Sequence, residues 1–81
     1  MTYRLKYDEA AEAVHDALPQ SLSEELSLAL AGACEDPLGM TVPYGEDDGV
    51  MRTLVTEHTA TVLLIGNVLK TVTVLQITYV G

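Results

Sequence analysis

Residues 50–65, VMRTLVTEHTATVLLI, and residues 71–80, TVTVLQITYV, decide the fold. Both stretches are rich in β-branched and other apolar residues, and the short segments TEHT and GNVLK separate them into runs of strand length. The pattern predicts three strands, over about 50–57, 60–66 and 71–80. Because consecutive strands joined by short turns pair antiparallel, these three form a meander. The last strand is the longest and the most β-branched, which predicts a central position in the sheet.

The chain before this meander has the pattern of one strand followed by two helices. In TYRLKYD, apolar or aromatic residues alternate with polar ones, which predicts a half-buried first strand. Asp8 can then cap a helix over about 9–18. Ser21 and Glu24 form a capping-box pattern at the start of a second helix, over about 22–35. Its predicted apolar stripe consists of Leu22, Leu26, Ala29, Leu30 and Ala33. Only PQS separates the helices, which predicts an antiparallel αα-hairpin.

The segment 37–49, PLGMTVPYGEDDG, holds two of the three prolines and three of the six glycines, and is predicted to be a loop with a brief extended piece at Met40–Val42. The predicted fold is therefore α+β in the order β-α-α-β-β-β, with an antiparallel four-stranded sheet packed against the αα-hairpin. A chain of 81 residues is expected to form a single domain, residues 1–81.

The charge balance restricts the class of partner. Twelve acidic residues against four Lys and Arg give a net charge of −8. Nucleic-acid binding draws most of its affinity from Lys and Arg, so this composition favours a protein partner over nucleic acid or an anionic membrane. A single cysteine, with no visible signal peptide and no apolar run of bilayer length, predicts a cytoplasmic protein. No cofactor and no metal ion is predicted. A homodimer is left open, since a first or last strand at the sheet edge could pair with a second copy.

Three stretches, taken in order, resemble the RelE/ParE superfamily of bacterial toxins. The first match is a strand that leads into a helix ending at Leu-Pro, in YRLKYDEAAEAVHDALP. The second is the end of the second helix, at CEDP. The third is the set of three closing strands, in MRTLVTEHTATVLLI and TVTVLQITYV. The resemblance covers essentially the whole chain. It implies the fold described above, a type II toxin–antitoxin system of the plasmid-stabilisation kind, and an antitoxin-like segment as protein partner. It also implies one of two activities, cleavage of messenger RNA on the ribosome or poisoning of DNA gyrase.

Few of the functional residues implied by the resemblance are present. Arg52 stands where the family has the first Arg of this strand, and Tyr79 lies near the C-terminal aromatic or His position, so these two are the candidate catalytic residues. Thr61 stands where a second Arg is usual, and Glu46–Asp48 replace basic residues. Loss of one transition-state donor typically costs about 10²–10³ in rate. We therefore predict an inactive toxin fold that acts by binding a protein, through the exposed sheet face and the loop 38–49 around Arg52.

Alternative interpretations are retained. The chain could be an active ribosome-dependent mRNA endoribonuclease, a ParE-like gyrase inhibitor, or a small acidic interaction module unrelated to toxicity. Arg52 could equally pair with a cross-strand acid or lie in solvent, and Tyr79 could pack its ring and leave its hydroxyl in water. The simpler interpretation of His15 and His58 is a solvated side chain in each case, and that of Cys34 is a small buried hydrophobe. The acidic residues of YGEDDG are expected to form a solvated turn rather than a cation site.

Overall fold

The computed structural model describes residues 2–45 and 48–80, and these form two helices and five strands. In chain order the elements are β1 (Arg4–Tyr7), α1 (Glu9–Ala17), α2 (Gln20–Glu35), β2 (Val42–Pro43), β3 (Met51–Val55), β4 (Thr59–Gly66) and β5 (Thr71–Tyr79). The strands form one sheet in the order β1-β5-β4-β3-β2. The predicted α+β class is confirmed, and so is the central position of the last strand.

Two features of the sheet differ from the prediction. It has five strands instead of four, because the extended piece predicted at Met40–Val42 is replaced by a short strand, β2, which pairs antiparallel with Arg52 and Thr53 of β3. It is also not wholly antiparallel, since β1 runs parallel to β5 with Arg4 opposite Thr71. Short turns fix the directions of β3, β4 and β5. The strand β1 is joined to them through both helices, and a connection of that length permits a parallel pair.

The two helices begin in different ways. Asp8 caps α1 as predicted, since its carboxylate accepts a hydrogen bond from the Ala10 N–H at 3.3 Å. The capping box predicted at Ser21 is wrong, because α2 already begins at Gln20 with Pro19 in the capping position and without a side-chain cap. The proline ring holds φ near the helical value, so the chain enters the helix directly after it. The helical hairpin is confirmed, with a link shorter than expected.

The hydrophobic core lies between the helical hairpin and one face of the sheet. The predicted stripe of α2 is confirmed, since Leu26, Leu30 and Ala33 are fully buried. The remaining core residues come from α1, the end of α2 and the three long strands; they are Ala11, Cys34, Leu54, Leu63, Ile65, Val72, Val74 and Ile77. Neither helix of the described residues has the length and apolar character needed to cross a lipid bilayer.

Candidate functional site

The sheet face opposite the helices, here called the open face, carries no acidic side chain among the described residues. It is built by the strand residues that alternate with the core residues; across β2 to β5 they are Val42, Met51, Thr53, Val55, Ala60, Val62, Leu64, Thr73, Gln76 and Thr78. All are apolar, threonine or glutamine, and each is exposed or half-buried. Every acidic residue that the structure describes lies outside the strands. A chain with a net charge of −8 thus keeps an uncharged surface four strands wide.

Basic side chains border the open face at β1. Arg4 and Lys6 stand opposite Thr71 and Thr73 in the parallel register, and both are exposed. Lys70 belongs to the same edge, because its carbonyl accepts a hydrogen bond from the Arg4 N–H at 2.8 Å. Three of the four basic residues of the sequence therefore lie along one edge of the sheet.

The fourth basic residue, Arg52, points away from the open face. It shares the core side of β3 with Leu54 and is only 6% exposed. Its Nε donates to the Thr41 hydroxyl at 2.9 Å, and its Nη2 donates to the carbonyl oxygens of Thr41 at 2.8 Å and Leu38 at 3.3 Å. The Thr41 hydroxyl in turn donates to the Pro37 carbonyl. Arg52 thus fastens the segment after α2 to the sheet, and the expectation that it lies in solvent is wrong.

The start of β3 is fixed by Asp48. Its Oδ1 accepts hydrogen bonds from the N–H groups of Val50 at 2.9 Å and Met51 at 3.1 Å. Gly49, which lies between Asp48 and Val50, has a φ of 72°, a conformation that glycine adopts readily. The two N–H groups hold the pKa of Asp48 below its ordinary value, and the positive charge of Arg52 contributes in the same direction. The other two acids of the predicted acidic turn, Glu46 and Asp47, lie outside the described residues.

The two candidate catalytic residues do not converge. Tyr79 ends β5 opposite Thr59 and is 60% exposed, whereas Arg52 stands opposite Leu63. Those two positions are four residues apart along β4, which is about 13 Å along a strand. The catalytic roles of Arg52 and Tyr79 stay predictions. Thr61, which stands where the resemblance implies a second Arg, is fully buried on the core side of β4.

His15 of α1 contacts residues of β1 and of α2. Its Nδ1 lies 2.9 Å from the Tyr7 hydroxyl, and its Nε2 lies 3.3 Å from both the Ser23 carbonyl oxygen and the Ser27 hydroxyl. The Tyr7 and His15 rings are stacked, with centroids 5.6 Å apart. The interpretation of His15 as a solvated side chain is wrong. Burial raises the pKa of Tyr7, and the nearby charges of Glu12 and Asp16 add to the effect.

His58 is also engaged, because its Nδ1 lies 3.0 Å from Oε2 of Glu25 on α2. The two side chains are each 32% exposed. The hydrogen bond from His58 lowers the pKa of Glu25, opposed by partial burial and assisted by the nearby Thr56 hydroxyl. The pair is separated by 33 residues in the chain, so local sequence patterns gave no signal for it.

Cys34 is buried at the end of α2, as predicted. Burial raises the pKa of its thiol, and the neighbouring charge of Glu35 raises it further. A buried thiol that ionises late is a poor nucleophile. Cys34 is therefore a packing residue of the core.

This helical hairpin on one face of a five-stranded sheet is shared with solved structures of RelE toxins, so the chain has the RelE toxin fold. The crystal structure of the RelBE2 toxin–antitoxin complex from Mycobacterium tuberculosis matches it with a TM-score of 0.82 at 15% identity, over 98% of this chain and 99% of that one. The isolated E. coli RelE toxin also gives a TM-score of 0.82, at 20% identity, over 98% and 85% of the two chains. The archaeal RelE–RelB complex from Pyrococcus horikoshii gives 0.79 at 15% identity, over 100% and 98%. Comparison with protein-family models and with curated proteins gave no match.

Proposed function

We propose that this chain is a catalytically inactive protein of the type II toxin–antitoxin kind, which acts in the bacterial cytoplasm by binding a protein partner on its open face. Residues 1–81 would act as one domain. The observation that carries the proposal is the open face itself, an uncharged surface across four strands of a strongly acidic chain. The loop 38–49 around Arg52, which was also expected to bind the partner, gives the proposal less support, because Arg52 points to the opposite side of the sheet.

The chemistry of the open face suits burial against another protein. Val42, Val55 and Leu64 are 51%, 64% and 37% exposed, and each would gain from removal of its apolar surface from water at about 25 cal/mol per Å². Since the face holds no charged group across β2 to β5, contact would not require the desolvation of an ion. Depletion of charge at the centre of the contact is typical of protein interfaces.

The partner that fits this surface is an antitoxin-like segment with an apolar contact face. Three of the structures with this fold contain a RelE toxin bound to its RelB antitoxin. Because the chain as a whole has a net charge of −8, a segment with apolar or basic character would be favoured over an acidic one. The same charge disfavours RNA or DNA as the partner. A second copy of this chain would be repelled by its own charge, although the open face alone would permit a homodimer.

The positions of the basic side chains among the described residues support the proposed absence of catalysis. Arg52 already donates to three acceptors of the segment 38–41 and is buried. Arg4, Lys6 and Lys70 lie at the β1 edge, at the far side of the sheet from β3. Lys6, the last basic residue of β1, stands opposite Thr73, six residues before Tyr79 on β5. That is about 20 Å along the strand, too far for its ammonium group to stabilise charge on a phosphate held at Tyr79.

The binding proposal is tested with the protein encoded beside this gene, if it is a RelB-like antitoxin, by titration calorimetry. Leu64→Glu places a charge on the open face, and Val68→Glu places the same charge on the β4–β5 turn, where Val68 is 93% exposed. Binding by the wild type, weakened at least about tenfold by Leu64→Glu and not by Val68→Glu, is expected. Equal affinities of the two variants would contradict the open face as the binding surface.

Catalytic inactivity is tested by inducing this chain alone in a bacterial culture, beside a Tyr79→Phe variant. No growth arrest is expected from either, with soluble protein confirmed. Arrest by the wild type that Tyr79→Phe relieves would establish the endoribonuclease alternative. Arrest by both would point to a gyrase inhibitor. An acidic interaction module unrelated to toxicity would show no arrest and no binding to an antitoxin.

A further inference from the structure

We propose that Glu25, Glu57 and His58 form a binding site for a divalent transition-metal ion, with Zn²⁺ as the probe. Each of the three side chains offers one ligand atom, and these atoms all lie within 4.8 Å of one another. Glu25 comes from the middle of α2, whereas Glu57 and His58 come from the β3–β4 turn. A metal bound there would join the helical hairpin to the sheet. This inference does not depend on the proposed function.

A second observation concerns the Glu25 carboxylate, whose Oε2 is paired with His58 while its Oε1 is not paired within the described part of the chain. Oε1 of Glu25 is buried and has no hydrogen-bond partner among the described residues. A buried carboxylate oxygen without a partner is costly, since it has lost its water and gained nothing in return. The neighbouring Thr56 hydroxyl lies 2.7 Å from the Thr59 hydroxyl and is engaged there. A cation beside Glu25 would supply the missing interaction.

The turn that carries the other two ligands is held in place by backbone contacts. The Thr56 N–H donates to the Thr59 carbonyl at 2.9 Å, and the Thr59 N–H donates to the Thr56 hydroxyl at 3.0 Å. The His58 carbonyl accepts from the Val80 N–H at 2.8 Å, just beyond β5. Because the turn is fixed at both strands, the position of the imidazole relative to α2 is largely set before any ligand binds. Such preorganisation favours metal binding.

The donor set selects the kind of metal. One imidazole nitrogen with two carboxylate oxygens suits Zn²⁺ and its transition-metal neighbours, whereas Ca²⁺ and Mg²⁺ prefer oxygen alone. Ligand atoms of a tetrahedral zinc site stand about 3.3–3.5 Å apart. The pair between His58 and Glu25, at 3.0 Å, is already close to this spacing. A separation of 4.8 Å must shorten by about 1.4 Å, a movement that rotation of the exposed Glu57 side chain can supply.

The test is titration of the full chain with Zn²⁺ by calorimetry, with Co²⁺ absorption spectra as a second readout of coordination. One Zn²⁺ per chain is expected. Glu57→Gln and His58→Gln should each weaken binding at least about tenfold, because each removes a ligand. The matched controls are Glu24→Gln, an exposed acid on the same helix, and His15→Gln, the other histidine. Both controls should bind within about twofold of the wild type.

Several results would overturn the inference. The inference is wrong if the wild type does not bind Zn²⁺. It is also wrong if Glu57→Gln and His58→Gln bind Zn²⁺ with the affinity of the wild type. Loss of binding in Asp48→Asn, with Glu57→Gln unaffected, would assign the metal to the acidic loop before β3. Circular dichroism without metal checks that each variant is folded. Because the Glu57 side chain is exposed, Glu57→Gln decides the question even if His58→Gln unfolds the protein.

Discussion

Replacement of Arg52 by methionine should destabilise the protein by about 3 kcal/mol. The side chain is 6% exposed and donates three hydrogen bonds to Thr41 and Leu38. A hydrogen bond made by a charged group contributes about 1.5–3 kcal/mol, and removal of a partner from a buried polar group costs about 1–3 kcal/mol more. Three such bonds would sum to at least about 4.5 kcal/mol. Because contributions within one network are not additive, and because methionine avoids the desolvation cost of a buried charge, the expected loss is lower, about 3 kcal/mol. Methionine retains the apolar stem, so loss of packing is small.

The size of this effect is large for the chain. At about 0.05–0.15 kcal/mol per residue, a protein of this length has a free energy of unfolding of roughly 4–12 kcal/mol. With a urea m-value of about 1 kcal/mol per M, the Arg52→Met midpoint should fall by about 3 M. Arg52→Lys keeps the charge but cannot reproduce the forked geometry, so an intermediate loss is expected. Urea unfolding followed by circular dichroism measures all three proteins.

The control is Arg4→Met, which removes an exposed arginine from the edge strand and should change the free energy of unfolding by less than about 0.5 kcal/mol. An Arg52→Met variant within that same margin would refute the argument, because the buried hydrogen bonds would then contribute nothing to stability. The expected instability also bears on function. Loss of toxicity in an Arg52 variant would not by itself identify a catalytic residue, so Tyr79→Phe is the more informative substitution.

Three further predictions concern titration, packing and thiol reactivity. The pKa values of Asp48 and Glu25 lie below their ordinary values of about 3.9 and 4.3. The two carboxylates therefore stabilise the folded protein fully at a pH above those ordinary values, and this contribution is lost as the pH falls through the lowered pKa values. The gap in urea midpoint between wild type and Asp48→Asn should therefore shrink from pH 7 to pH 2.5; a constant gap would contradict this. Leu30→Ala should cost about 2–5 kcal/mol in the free energy of unfolding, because Leu30 is fully buried, whereas Leu28→Ala, 77% exposed, should change little. Cys34 should react with a disulfide reagent far more slowly in the folded protein than in urea, given its burial and raised pKa, and equal rates would show that the thiol is accessible.

Local patterns were sufficient for the two helices, for four of the five strands and for the centre of the sheet. The apolar stripe of α2 and the β-branched run of β5 were each readable from periodicity, because the side chains of one helix or one strand meet the core at fixed intervals. The pairing of β2 was missed, since two residues ending in a proline carry no strand pattern of their own. The direction of β1 was missed because no short turn connects it to its partner.

The site residues were less predictable, because their surroundings come from distant parts of the chain. The acceptors of Arg52 lie 11 and 14 residues away, in a loop whose path depends on where α2 ends. The His58–Glu25 pair spans 33 residues and joins a turn to a helix. An exposed sheet face was predicted, because the long strands were predicted correctly. That this face carries no charged side chain across β2 to β5 became apparent only from the strand register, which shows which residues lie side by side.

The parallel pairing of β1 with β5 has a consequence for how the chain folds. Arg4 lies opposite Thr71 and Tyr7 opposite Val74, so the first strand finds its place in the sheet only after residues 71–74 have been synthesised. Pairing of residues so far apart carries a high entropic cost of loop closure, which slows folding. A nascent chain that lacks β5 would leave the backbone N–H and C=O groups of β1 and β4 unpaired, and would be prone to aggregate. Synthesis through Tyr79 is thus the step that closes the sheet, and a protein shortened before β5 would be left without its central strand.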